Sequence, residues 1–110
     1  MKTDKYILNA KGEAVPEPSL IAWAKWIETA DRHIADDGFP LGATGLIRVS
    51  TVFLGLDHSF GAHGPPVLWE TMVFGGLLDG EMARYTSKAD AQAGHLAMVE
   101  RVRATLPEAL

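Results

Sequence analysis

Residues 46–76 read LIRVSTVFLGLDHSFGAHGPPVLWETMVFGG, and this stretch decides the fold. β-Branched and aromatic residues crowd its two ends: Ile47, Val49, Thr51, Val52 and Phe53 in the first run, Val67, Trp69, Thr71, Val73 and Phe74 in the second. That density predicts two strands. Gly55 and Asp57 close the first run and Gly75-Gly76 the second, so the pair is a central hairpin around a loop containing His and Gly. Surface chemistry is expected in that loop. Neither strand has a purely polar alternating set. Val49, Thr51 and Phe53 oppose Ser50, Val52, Leu54 and Leu56, while Val67, Trp69, Thr71 and Val73 oppose Leu68, Glu70, Met72 and Phe74. A sheet with one wet face alternates cleanly. Both faces are therefore expected to be at least partly covered, one by helices and the other by loops or a second subunit. A homodimer is one reading; the other is a monomer whose loop Phe39 to Ala43 folds over the sheet.

Working outward, Lys5 to Asn9 is a short apolar run that turns at Gly12, as an edge strand does. Val15-Pro16-Glu17-Pro18 is extended, because each proline fixes its own φ and steers the residue before it away from helix. It reads as a connector. Ser19 caps a helix whose apolar stripe steps through Leu20, Trp23, Ile27, Ala30 and Ile34, with Gly38 as terminator and Phe39 to Gly45 as a loop. Beyond the hairpin, Asp79-Gly80 predicts a turn and Met82 to Tyr85 a strand. Ser87 with Asp90 opens a second helix, which carries Ala91, His95, Met98, Val99, Val102 and Leu106 on one face and stops at Pro107. Gly94 lets that helix approach the sheet closely. The order β-α-β-β-β-α defines an α+β fold, a mostly antiparallel sheet flanked by two helices.

With 110 residues the chain fits a single α+β domain, large enough to bury roughly two-thirds of its unfolded surface. The absence of cysteine excludes disulfides and thiolate metal sites or nucleophiles. A formal charge of −4 with scattered Lys and Arg leaves no basic footprint, so nucleic acid is not an expected partner. No run approaches the roughly 20 apolar residues of a membrane span, and Met1 to Lys5 lead into no signal-peptide pattern. The expectation is a soluble protein that stays in the cytoplasm.

The residues able to carry chemistry are Asp57, His58 and His63 in the loop, Glu70 on the second strand, His95 on the last helix and His33. Asp57, His58 and His63 are candidate metal ligands, since neutral imidazoles and a carboxylate suit zinc or another first-row metal. Their spacing matches no specific metal motif, and the competing reading makes Asp57 a cap for the loop backbone. His95, on an apolar helix face, is read as a core histidine donating to a backbone carbonyl. Glu70 points either to solvent or inward to Arg48, Arg84 or His95, and a Glu70–His95 pair would be a structural clasp or an acid-base dyad. Trp26 and Trp69 are candidate binding residues if exposed. The serine contexts lack a nucleophile elbow, and phosphate-cradling Gly motifs are missing, so no cofactor is expected.

In order along the chain, the segments VSTVFLGLDHSFG, PPVLWETMVFGG, LDGEMARY and AQAGH resemble a family of small proteins encoded by bacteriophages and prophages. In that family a strand ending in a GLDH-like motif is followed by an ETMVFGG-like strand and a short helix. The resemblance spans about Ser19 to Arg103 and carries no established activity, so it assigns no functional residue. It implies a phage accessory protein in a host bacterial cell, with a host or phage protein as partner. Two functions follow: a non-enzymatic protein-interaction module, or a small metal-assisted or acid-base enzyme centred on Asp57, His58, Glu70 and His95.

Overall fold

A computed structural model describes residues 3–43, 45–61 and 63–107. Its elements run β1 (Tyr6–Leu8), β2 (Ala14–Pro16), α1 (Leu20–Thr29), β3 (His33–Leu41), β4 (Gly45–Phe53), β5 (Trp69–Phe74), β6 (Met82–Tyr85) and α2 (Lys88–Ala104). The fold is α+β. β3-β4-β5-β6 form one antiparallel sheet in chain order, and β1-β2 form a separate antiparallel pair.

The central hairpin is as expected, with Thr51 opposite Thr71 and Phe53 opposite Trp69. Two strands are additions. The extended Ala14–Pro16 segment is no mere connector, for it pairs with β1 across a turn in which Asn9 Oδ1 accepts the backbone N–H groups of Lys11 and Glu13. The stretch expected to finish the first helix and then loop is instead β3. Ala30 already has an extended φ/ψ of −73/139°, and Asp31 Oδ1 accepts from His33 N, which turns the chain out of the helix. Ile34, whose spacing fits the helical stripe, then lies in a strand, and Gly38 sits mid-strand opposite Arg48 instead of ending a helix. Pairing along β4 overrides local periodicity here.

α2 follows its sequence pattern closely. Ser87 Oγ accepts from Asp90 N, and Ala91, His95, Met98, Val99 and Val102 are buried. Met98, Val99 and Val102 pack on Ile47, Val49 and Val73, while Ala91 meets Phe53, Leu68 and Trp69. Each buried aliphatic side chain contributes about 1.5–3 kcal/mol of hydrophobic stabilisation. At the far end of α2 the Arg101 guanidinium donates to Glu81, 2.6 Å away, and Arg103 lies over the Phe39 ring.

α1 buries no residue fully and packs against β1; its Trp26, with Tyr6, Leu8 and Ala14 of the β1-β2 pair, packs at one end of the sheet on the cluster of Phe53, Leu68, Trp69 and Ala91. It is anchored at the end of β4, where Trp23 Nε1 donates to Gly55 O and Trp26 meets Phe53 edge-on at 5.8 Å. The molecule is consequently elongated, 56 × 29 × 23 Å. One face of the four-stranded sheet lies under α2, and among the described residues no element covers the other. Residues 39–41 extend β3 and do not fold across that face, which removes the monomer reading in which they cover it.

Gly94 sits where α2 passes Tyr85, and a Cβ there would run into the Tyr85 ring and hydroxyl. Gly94→Ala is expected to cost about 1–3 kcal/mol by overpacking, despite the better helix propensity of alanine. Urea denaturation measures it, and a neutral or stabilising result would contradict the close approach.

Candidate functional site

The candidate residues divide between the two faces of the sheet and the loop that follows β4. Side chains alternate along a strand, so Thr51 and Thr71 face α2 while their neighbours Glu70 and Val52 face the uncovered side.

Under α2 a polar chain crosses the core. His95 Nε2 lies 2.7 Å from Asp37 Oδ2, and His95 Nδ1 2.6 Å from Thr51 Oγ1. Thr51 Oγ1 is 2.6 Å from Thr71 Oγ1, to which the Tyr85 hydroxyl donates at 3.0 Å. A carboxylate only accepts, so Nε2 carries the proton toward Asp37. With a neutral imidazole, Nδ1 then accepts from Thr51, Thr51 accepts from Thr71 and Thr71 from Tyr85. Every hydroxyl donates once. The order hydroxyl, imidazole, carboxylate matches a nucleophile relay in connectivity. Access decides against that chemistry: Thr51 and Thr71 are 0 % exposed and His95 is 1 % exposed. No reacting carbonyl can reach a hydroxyl closed in by strand and helix, and the chain is a clasp that satisfies buried polar groups.

His95 is thus a core histidine as expected, but side chains hold it, not a backbone carbonyl. Sequence reasoning missed Asp37, assigned to a helix end, and left the two threonines unconnected. The available signal was a threonine in each apolar strand together with a histidine on an apolar helix face.

The proposed catalytic set does not converge. Glu70 lies on the face opposite His95 and its Oε2 accepts from Arg84 Nε at 2.9 Å. Cross-strand register sets this pairing, since Glu70 stands directly opposite Arg84. Asp57 and His58 lie in the loop beyond β4. Asp57 Oδ1 accepts from Ser59 N at 2.8 Å and Val67 N at 2.9 Å, closing the loop on itself. Burial pushes its carboxyl upward, but these backbone donors and His58 outweigh it and hold the pKa below the usual value of 3.8. His58 Nδ1 lies 2.7 Å from Leu56 O, and its ring packs on Phe60. His63 is exposed. The proposed metal ligands Asp57, His58 and His63 therefore do not assemble: among the described residues no three His, Asp or Glu side chains come together as a ligand set.

Trp26 and Trp69 offer no exposed docking surface either. Trp26 is half-buried on Phe53, and Trp69 is 5 % exposed with its ring 5.5 Å from Phe53. Exposed apolar surface lies elsewhere on the sheet, at Leu46, Phe74 and Met82, which are 60, 49 and 43 % exposed. They share the uncovered face with Val52 and Met72, and with two cross-strand ion pairs, Arg48–Asp36 at 2.6 Å and Arg84–Glu70 at 2.9 Å. Hydrogen bonding and the charge of Arg48 hold the Asp36 carboxyl below its ordinary range.

No family model matches the chain, and neither does any curated protein or solved structure.

Two outcomes test the clasp and the loop. Thr51→Val keeps shape but leaves His95 Nδ1 and Thr71 short of a partner, and is expected to cost about 1–3 kcal/mol in urea unfolding. A cost below about 0.5 kcal/mol would contradict the chain of donors. For Asp57 the folded pKa lies below the unfolded one, so its stabilisation is complete above the ordinary Asp value near 3.8 and is lost as pH falls through the folded value. Asp57→Asn is accordingly less stable than wild type at pH 7, and the gap closes in acid below about pH 4.

Proposed function

We propose that this chain is a non-enzymatic protein-interaction module of bacteriophage or prophage origin that works as a homodimer in the cytoplasm of its host bacterium. The uncovered sheet face carries this reading. Leu46, Phe74 and Met82 expose apolar surface across three neighbouring strands, with Met72 beside Met82 and Val52 further along the same face.

The occupant favoured for this face is a second copy of the chain. Its charges come as closed pairs, Arg48 with Asp36 and Arg84 with Glu70. A face carrying as many positive as negative groups meets its own copy without like-charge repulsion. Size agrees. Four strands about 4.8 Å apart and roughly six residues long make a face of roughly 400 Å² in projection. With side chains standing off it, two such faces bury on the order of 1,000 Å², the lower range of a specific interface. The dimer is therefore reversible.

The sheet edges support the same choice. β3 is an outer strand interrupted by a bulge between His33 and Ala35, with Asp36, Asp37 and Pro40 along it, and the opposite edge, β6, is short. Such features disfavour edge-to-edge pairing. The resemblance of the central hairpin to small phage-encoded proteins supports the accessory context. Dispersal of Asp57, Glu70 and His95 over a loop and two sheet faces takes support away from an acid-base or metal-assisted enzyme.

Light scattering after size exclusion, across a concentration series, tests the dimer. Wild type is expected to move from dimer toward monomer on dilution, whereas the Leu46→Glu, Phe74→Glu variant stays monomeric with its circular dichroism unchanged. A wild-type protein that remains monomeric at several hundred micromolar overturns the proposal.

A further inference from the structure

Away from the sheet face, a cavity of about 450 Å³ opens between the β1-β2 hairpin, the segment preceding β5 and the start of α2. This volume suits a small organic molecule. Tyr6, Pro66, Leu68 and Trp69 give it a mostly apolar wall, while Lys11 and Lys88 stand at its rim with Glu13.

Three observations define what the cavity would take. First, neither Lys11 nor Lys88 forms a salt bridge among the described residues. The Lys88 ammonium folds toward the β1-β2 turn, 3.4 Å from where a Cβ on Gly12 would stand. Second, Glu13 stands at the same rim with its Oε1 accepting from Asn9 Nδ2 at 3.2 Å, inside the turn, so the two ammonium groups leave one net positive charge there. One net positive charge on a chain of net charge −4 makes this rim a local exception to the acidic surface. Third, Trp69 Nε1 is the single buried side-chain N or O among the described residues without a hydrogen-bond partner. The indole N–H is closed off from solvent, so Trp69 serves the cavity as apolar wall and its N–H as a reporter of what sits against it.

We propose that this cavity is a binding site for a small, flat, apolar anion of the aromatic carboxylate class. The ring packs along Tyr6 and Pro66, the half-buried part of the wall, and the carboxylate lies between the Lys11 and Lys88 ammonium groups at the rim. The partial positive charge at the N-terminal end of α2, where Lys88 is the first residue, adds to the same field. The site is independent of the sheet face, so its occupancy does not depend on dimerisation.

The test uses the full chain labelled with ¹⁵N, titrated with sodium 2-naphthoate and, in parallel, with uncharged 2-naphthylmethanol, while the assigned Trp69 indole resonance is followed. Naphthoate is expected to shift that resonance and to bind more tightly than the alcohol. The Lys11→Ala, Lys88→Ala variant, altered only at exposed side chains, is expected to bind naphthoate about three- to ten-fold more weakly, with the alcohol unaffected. An Ala14→Trp variant, which fills the cavity from β2, abolishes both. An unmoved Trp69 resonance at millimolar naphthoate overturns the proposal. So does a preference for the anion that survives loss of both lysines, or shifts confined to residues of the open sheet face.

Discussion

The structure depends on a hydrogen-bonded chain buried between helix and sheet, running from the Tyr85 hydroxyl through Thr71 and Thr51 to His95 and Asp37. Aliphatic packing of α2 on β4 and β5 supplies the larger driving force, but packing tolerates sliding and a directional polar chain does not. A shift of α2 by one turn would take His95 away from Thr51 and leave buried polar groups unpaired, at about 1–3 kcal/mol for each. The chain therefore fixes which sheet face is covered. By the same act it fixes which face is left open.

That asymmetry organises the rest of the molecule. The sheet has four strands and one helix over it, and the second helix is committed elsewhere, held by Trp23 on Gly55 O and by Trp26 on Phe53 at the end of β4. Gly55 admits this docking: its φ of 76° favours glycine, and a Cβ would run into Ile27. With α1 beyond the sheet instead of across it, Leu46, Phe74 and Met82 stay exposed. The loop after β4, often the seat of chemistry in small α+β domains, is here tied down from within by Asp57. Its polar atoms are spent on holding backbone, which is why a residue set that looks reactive in sequence has no free ligand cluster in space.

Much of this was legible in the sequence, and the illegible parts share a cause. The central hairpin and α2 announce themselves through local signals: β-branched density, a capping serine, an apolar stripe ended by Pro107. Asp57 as a loop cap and His95 as a core residue follow from equally local reasoning. β3 does not. Ile34 continues the stripe of α1, and Asp36-Asp37-Gly38 imitates a helix stop, so only pairing with β4 reveals a strand. The partners of His95 are hidden for the same reason, since Asp37 lies 58 positions away and becomes visible once β3 is placed. The orientation of Glu70 likewise waited on register, which set it opposite Arg84. Exposure of the second sheet face was half legible: the missing polar alternation was plain, but whether a loop or another molecule covers it depends on where residues 39–41 go.

The central claim is that a second copy covers this face, and methionine methyl groups test it directly. Met72 and Met82 lie on the open face and Met98 in the core beneath α2. Protein labelled with ¹³C at methionine methyls, mixed with a soluble paramagnetic relaxation agent, reports solvent contact at each. The account predicts that Met72 and Met82 become shielded as concentration rises and exposed again on dilution, while Met98 stays shielded throughout. Met72 and Met82 methyls that remain equally accessible at every concentration would contradict it.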